Sequence, residues 1–300
     1  MTLEQQASLE RGEAIVEPVR TGERRDVAVM GVIHVNRPRA EVVKLTRATE
    51  GAAIGAAHGF MHRLSTPATP DDFAALRLTE DDLKALSRCK QDACNLKLAA
   101  EDMARLRSIV DSAGANAPLD AESYFRWRLV ELVNAYHSRG NAAMYVYNDR
   151  GSVHAGSAFD AMLEDSCRLV VAAPELTQFL LHYPRAEEPG ESSVVYWALD
   201  SLPRTHPTLR VMQEVMLTPA VEPRVSIIAT KQLYANHYFE AGLEILAAVD
   251  DSVGGGSTVV ILRHYRFDQL PRIAFIDLRG RVVAKLRDAV SSDLDRLRKP

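Results

Sequence analysis

No apolar run in this chain of 300 residues approaches the roughly 20 that a membrane-spanning helix requires, so a helical span is excluded. The opening stretch, MTLEQQASLERGEA, is polar and acidic and lacks the apolar centre of a secretory signal. Charge of either sign is not in large excess: 36 Lys+Arg stand against 40 Asp+Glu, a formal net charge of −4. No global basic field invites nucleic acid or an anionic membrane. Basic residues lie among acids, as in RGEAIVEPVRTGERRD, which is the pattern of a solvated surface. Cysteine is scarce, at 3, and 47% of residues are hydrophobic, so the core is built by burial and not by staples. The usual signatures of catalysis are missing as well: there is no GxSxG, HExxH, P-loop or GxGxxG. Neither a cofactor nor a metal is expected.

Two of the cysteines, Cys89 and Cys94, form C-x4-C in SRCKQDACNLKL. Bridged, they make a small disulfide loop and imply an oxidising compartment, periplasmic or exported. Unbridged, they are free thiols at a loop-to-helix junction in a cytoplasmic protein. A zinc site would need a second pair at metal spacing, which is absent. Cys167, in EDSCRLVV, reads as a buried free thiol. His58 and His62 stand at i, i+4, a metal spacing on a helix, but no acid between them offers a base and the segment is not helical in character. The triple glycine Gly254 to Gly256 reads as a hairpin tip, not a phosphate cradle.

Along the chain, residues 2–20 read as a short helix and a polar connection. VAVMGVIHV is rich in β-branched residues and reads as a strand, followed by a helix from Arg39. Residues 51–70 are small and polar. A helical middle follows, with Thr79 and Asp82 placed as a capping box and Gly140 closing the strongest helix. From Ser193 the period changes to that of strands: SVVYWALDSL, TLRVMQEVMLTP, RVSIIATKQLYA, HYFEAGLEILAAVDD and STVVILRHYRFDQ, separated by turn chemistry. A long amphipathic helix ends the chain, with Val282, Val283, Leu286, Val290, Leu294 and Leu297 in one stripe. The order gives an α+β fold in which the last helix covers the apolar face of an antiparallel sheet.

The opening VAVMGVIHVNRPRAEVVKLTRA and the ending STVVILRHYRFDQLPRIAFIDLRGRVVAKLRDAVSSDLDRL resemble the START-like (SRPBCC, helix-grip) superfamily, over residues 26–50 and 193–298. The whole chain also resembles a proteobacterial family with no assigned activity, in CKQDACNLKL, LVNAYHSRGNAAMYVYND and KQLYANHYFEAGLEI. The superfamily resemblance implies a curved antiparallel sheet gripping a long C-terminal helix. It divides the chain into an N-terminal helix and linker, residues 1–25, and one START-like domain, residues 26–300, with a helical insertion at about 60–190. It further implies a cavity between sheet and helix for an apolar small molecule such as a lipid. An enzyme of cyclase, dehydratase or hydrolase type on the same fold is the second reading, and a structural or interaction protein with a filled interior is the third.

The densest polar stretch is KQLYANHYFEAGLEI. A strand of about twenty-five residues running unbroken through it would span roughly 80 Å, so the chain must turn near Ala235 to His237, where Asn236 tolerates the left-handed conformation. Such a turn gathers Tyr234, His237 and Tyr238 at one rim. They line a ligand pocket, act as acid and base, or form one wet face of a sheet. Glu240 falls on the opposite face from His237 on a regular strand. The same alternation makes Trp197, Met212, Met216 and Arg263 candidate pocket residues. The methionines suit an adaptable apolar wall, and the arginine suits an anionic head group.

Overall fold

The computed structural model describes residues 2–47, 58–112, 114–170, 173–200, 206–219, 222–251, 255–270 and 277–298. The side chains of His58 and Cys167, and Gly254, lie outside the described residues. The elements run α1 (Leu3–Glu10), β1 (Ile15–Val19), β2 (Asp26–Val35), α2 (Arg39–Thr46), β3 (His58–Arg63), α3 (Glu80–Leu86), α4 (Ala100–Asp111), α5 (Ala117–Arg139), β4 (Val146–Tyr147) and β5 (Val153–His154). They continue with α6 (Ala155–Val170), α7 (Pro174–His182), β6 (Glu191–Asp200), β7 (Thr208–Leu217), β8 (Val225–Ala235), β9 (Phe239–Asp250), β10 (Ser257–Phe267) and α8 (Leu278–Arg298).

Eight strands make one open antiparallel sheet in the order β1-β2-β10-β9-β8-β7-β6-β3. Its centre, β6 to β10, is a meander in which successive strands pair, as antiparallel strands joined by short connections do. The α+β fold with a curved sheet and a long C-terminal helix is the one expected. Both edges depart from the sequence reading. The segment after α1 is not all connection: Gly12 breaks the chain at φ +70, and IVEPV forms β1 on the β2 edge, where Pro18 is tolerated. His58–Arg63 forms the other edge, paired with β6. The excursion between α2 and β6 therefore returns to the sheet before it becomes helical.

Helices cover the two faces unequally. On the inner face α2 and α8 bury Val42, Val43, Val290, Leu294 and Leu297 against Val29, Ile33, Ile228, Leu246 and Ile261. On the outer face α6 and α7 pack Phe159, Leu163, Leu176 and Phe179 onto Val215, Ile227, Ala229 and Leu243. Beside them the helical middle packs Phe73, Leu86, Met103, Phe125 and Leu129 against Trp197, Val211, Leu233 and Tyr234. Ten of the eleven residues of β8 are consequently buried. A strand buried on both faces loses the polar–apolar alternation that a half-wet strand shows.

The approach of α8 is set at Gly31. A Cβ there would lie 2.5 Å from Val290 Cγ1 and 2.8 Å from Leu294 Cδ1. Gly31→Val is expected to lower stability by about 1–3 kcal/mol by pushing α8 off the sheet. Thermal and urea unfolding check this, with Gly114→Ala, whose Cβ would meet nothing within 4 Å, as the neutral control.

Candidate functional site

Alternation along the strands sends Arg210, Glu214, Thr230, Gln232, Glu244, Arg263 and Tyr265 to the inner face, where they pair across strands. They form a chain of alternating charge. Asp293 of α8 accepts from Arg263, and its other oxygen accepts from Arg296. Arg263 Nε lies 3.6 Å from Glu244 Oε2. Glu244 Oε1 accepts from Arg210 at 2.7 Å and from the Tyr265 hydroxyl at 2.6 Å. Arg210 then donates to Asp200 of β6 at 3.2 Å. Burial opposes the charge on Glu244, but Arg210 and Arg263 outweigh it and hold the carboxyl below its ordinary value. Arg210 also lies over the Tyr265 ring at 5.2 Å.

Next to Glu244 the sheet and α2 border a partly open cavity of about 30 Å³, room for roughly two waters. Its polar wall is Thr46, Tyr196, Glu214, Thr230 and Glu244, and its apolar wall is Ile228, Ile245, Leu246 and Ile261. Arg47, just past α2, lies 4.0 Å from Glu214. Gln232, on the same face and almost fully buried, leaves its Oε1 without a hydrogen-bond partner.

Of the residues singled out in the sequence, Met212, Met216 and Arg263 belong to this face. Met212 packs under Tyr196, whose hydroxyl lies 3.8 Å from its sulfur. The neighbour Trp197 points the other way, donating from Nε1 to the Asp72 carbonyl at 2.9 Å. Tyr234 is on the outer face too. Strict alternation would group it with Thr230 and Gln232, but a register shift between Val211 and Met212 inserts Leu233 as an extra residue. Tyr234 is thereby turned into the aromatic cluster of Phe125, Tyr145 and Tyr147, with its hydroxyl on the Lys97 carbonyl at 2.9 Å.

The chain turns at residues 236–238, where the length argument requires it, and the left-handed residue is Tyr238, at φ +62. The Tyr238 hydroxyl accepts from the His206 amide at 2.9 Å. His237 is buried against the helical middle. Its Nε2 faces Asp82 Oδ1 at 3.1 Å and its Nδ1 faces the Asn95 carbonyl at 3.0 Å. Both ring nitrogens are therefore occupied by acceptors. The other Asp82 oxygen closes the Thr79 capping box at the start of α3. Burial opposes the Asp82 charge, yet His237 and Thr79 bring its pKa below the ordinary value. The His237 ring thus joins α3, through Asp82, to the segment at Asn95. No face of the sheet at this stretch is wet.

Two outer-face cations have no counterpart in the sequence reading. Lys97 reaches Asp149 at 3.3 Å and lies 4.5 Å from the centre of the Tyr147 ring. Lys231 is wholly buried between the rings of Tyr136 and Phe159, and its ammonium donates to Asn141 Oδ1 and the Leu180 carbonyl. Burial among neutral acceptors brings its pKa down from 10.5 to about 7. His62 stands on a strand, 3.8 Å from Asp72, and four strand residues separate it from position 58 by roughly 13 Å. Among the described residues no three His, Cys, Asp or Glu are grouped to hold a metal ion.

No protein-family model matches the chain, and no curated protein matches it. Among solved structures, the Zhui aromatase/cyclase from Streptomyces sp. R1128 aligns over 43% of this chain and 76% of its own, at 9% identity and a TM-score of 0.23. The Mll3558 protein from Rhizobium loti aligns over 43% of this chain and 87% of its own, at 10% identity and a TM-score of 0.18. Likenesses this low carry no argument about activity, and the fold class rests on the strand order and helix placement.

Two stability measurements follow. His237→Ala is expected to cost about 3–5 kcal/mol at neutral pH by leaving Asp82 buried and unpaired. Because the folded-state pKa of Asp82 is depressed, its contribution is present above the ordinary carboxylate value and is lost as pH falls through the folded one. The gap between wild type and variant should therefore close in acid. For Lys231 the sign is reversed: unfolded chains bind the extra proton between about 7 and 10.5, so stability rises with pH there. Relative to Lys231→Met, the wild type should gain about 2–3 kcal/mol between pH 7 and 9 in urea titrations.

Proposed function

We propose that the protein is a START-like small-molecule binder whose site is the inner-face cavity between the sheet and α2. The observation that carries this reading is the buried charge chain next to that cavity. Desolvating ions costs several kcal/mol each, and an apolar interior would serve stability as well or better. Charged and hydroxyl groups converging on a small apolar-walled space are the arrangement that orients a ligand. The ligand has a hydrogen-bonding head for Glu214, Glu244, Thr230 and Tyr196 and an apolar part for Ile228, Leu246 and Ile261.

Usual ligand pockets occupy about 300 Å³ or more. At about 30 Å³ the cavity admits a lipid-sized molecule only if α2 draws away from the sheet. Polar ties hold both ends of α2: Arg39 pairs with Asp250 at 3.2 Å and donates to the Val225 carbonyl and Ser226, and Arg47 lies by Glu214. The small volume is the observation in favour of the third reading, a structural or interaction protein with a filled interior. Acid–base catalysis by His237 is disfavoured because neither ring nitrogen is open. The Cys89–Cys94 bridge supports an oxidising compartment.

Native mass spectrometry of the purified protein, followed by organic extraction, decides between the readings. A binder releases an amphipathic molecule on denaturation, and Thr230→Leu, which fills the cavity with methyl groups, purifies without it. A protein that is empty and takes up no fluorescent fatty amine or fatty acid is the filled-interior protein.

A further inference from the structure

On the outer side of the molecule, away from the cavity, α3 and the loop after it flank an open groove of about 340 Å³. Asp81 and Lys84 of α3 and Arg88 in the turn after it line one side, and Cys94, Asn95 and His206 line the other. Cys89 and Cys94 are bridged, with their Cα atoms 4.4 Å apart. Both cysteines are buried in the core of the helical middle, at 1% exposure for Cys89 and 5% for Cys94, and Cys94 also borders the groove. Lys84 is answered by Asp81 at 3.9 Å, which leaves the Arg88 charge facing the groove.

We infer that this groove is a thiol–disulfide exchange site for a small anionic thiol. The anion is held by Arg88 and Lys84, with the His206 ring as the facing wall. The ligand's thiolate attacks Cys94 Sγ, a new S–S bond forms there, and the bond to Cys89 breaks. Cys89 leaves as a thiolate and takes a proton from water. A second equivalent of the thiol releases Cys94 and departs as the ligand's own disulfide, so the protein gains two electrons and the thiol supplies them.

The bridge lies inside a closed loop of interactions, which gives its opening a consequence. Asp82 on α3 and the Asn95 carbonyl beyond Cys94 are the two acceptors of the same His237 ring. The segment after Asn95 is fixed by Lys97, whose amide donates to the Asn236 carbonyl at 2.9 Å and whose carbonyl receives Tyr234. Breaking the bridge separates the two arms that hold the His237 ring. Amides 95–98 should then exchange faster with solvent.

The test uses the full chain with Cys167→Ser, so that the bridge is the reacting sulfur pair. Exchange rates are measured with 2-mercaptoethanesulfonate, 2-mercaptoethanol and 2-aminoethanethiol. Each is divided by the rate of the same thiol on the oxidised peptide CKQDAC, which has no groove. The expected result is that the sulfonate outruns the neutral thiol by about five-fold, the effect of one unit charge at contact in water. Arg88→Glu should reverse that order, and peptide mapping of quenched samples should find the adduct on Cys94. Rates in the same order as the peptide's, an adduct on Cys89, or no reaction in the folded protein would each overturn the proposal. The wild-type adduct position decides it even if Arg88→Glu folds poorly.

Discussion

The arrangement depends on how Glu244 is neutralised. Its carboxylate sits mid-sheet on β9 and is reached by an arginine from β7 on one side and one from β10 on the other. Arg263 extends the chain to Asp293 and so fixes the register of α8, and Arg210 extends it to Asp200 near the far edge. Hydrophobic contact alone would let a helix stripe of Val290, Leu294 and Leu297 slide along a flat apolar face, because burial is not directional. A buried carboxylate within that stripe accepts one partner position, since any slip would leave Asp293 and Arg263 desolvated and apart. The small cavity follows from this placement. With α8 clamped over β2 and β10, α2 is left to cover Glu214 and Glu244, and the space beside it is what the helix does not fill.

The outer face is organised by a different ion pair with the same logic. Asp82 serves two helices' worth of constraint, capping α3 through Thr79 and pairing with His237 through its second oxygen. The His237 ring in turn holds the Asn95 carbonyl, so the β8–β9 turn, α3 and the disulfide loop share one buried polar centre. This explains a turn that places a non-glycine residue, Tyr238, at positive φ. The hydrogen bonds of Asn236, His237 and Tyr238 to the surrounding chain offset the local strain.

Much of this architecture was legible in the residues. The β-branched runs after Ser193, the turn chemistry between them and the last helix's stripe gave the sheet and its covering helix. Helix ends with a chemical signature, at Thr79–Asp82 and Gly140, were also readable. The edge strands were not, because IVEPV and HGFMHR are short and carry proline or polar residues that read as connection. The site was less legible still. One inserted residue, Leu233, moved Tyr234 to the other side of the sheet, and no local pattern announces a bulge. The choice between Tyr196 and Trp197 turned on one strand's phase. The inner charge chain did leave a trace: Asp293 interrupts an apolar stripe, and Arg210, Glu244 and Arg263 occupy inward positions of strands. A charge in the buried phase of an element is a sign of a partner.

The two faces are not independent, because β8 belongs to both. Thr230 and Gln232 point to the inner cavity side, while Lys231 and Tyr234 point into the outer core, all within five consecutive residues. Lys231 fixes this strand to the turn after α5 and to α7 through Asn141 and Leu180, and Tyr234 fixes it to the segment after the disulfide through Lys97. A packed interior transmits displacement because it has no free volume to absorb it. Movement of the outer anchors is therefore carried by the same backbone atoms that position Thr230 against Glu244. Strand β8 is thus the element that the inner charge chain and the outer core share.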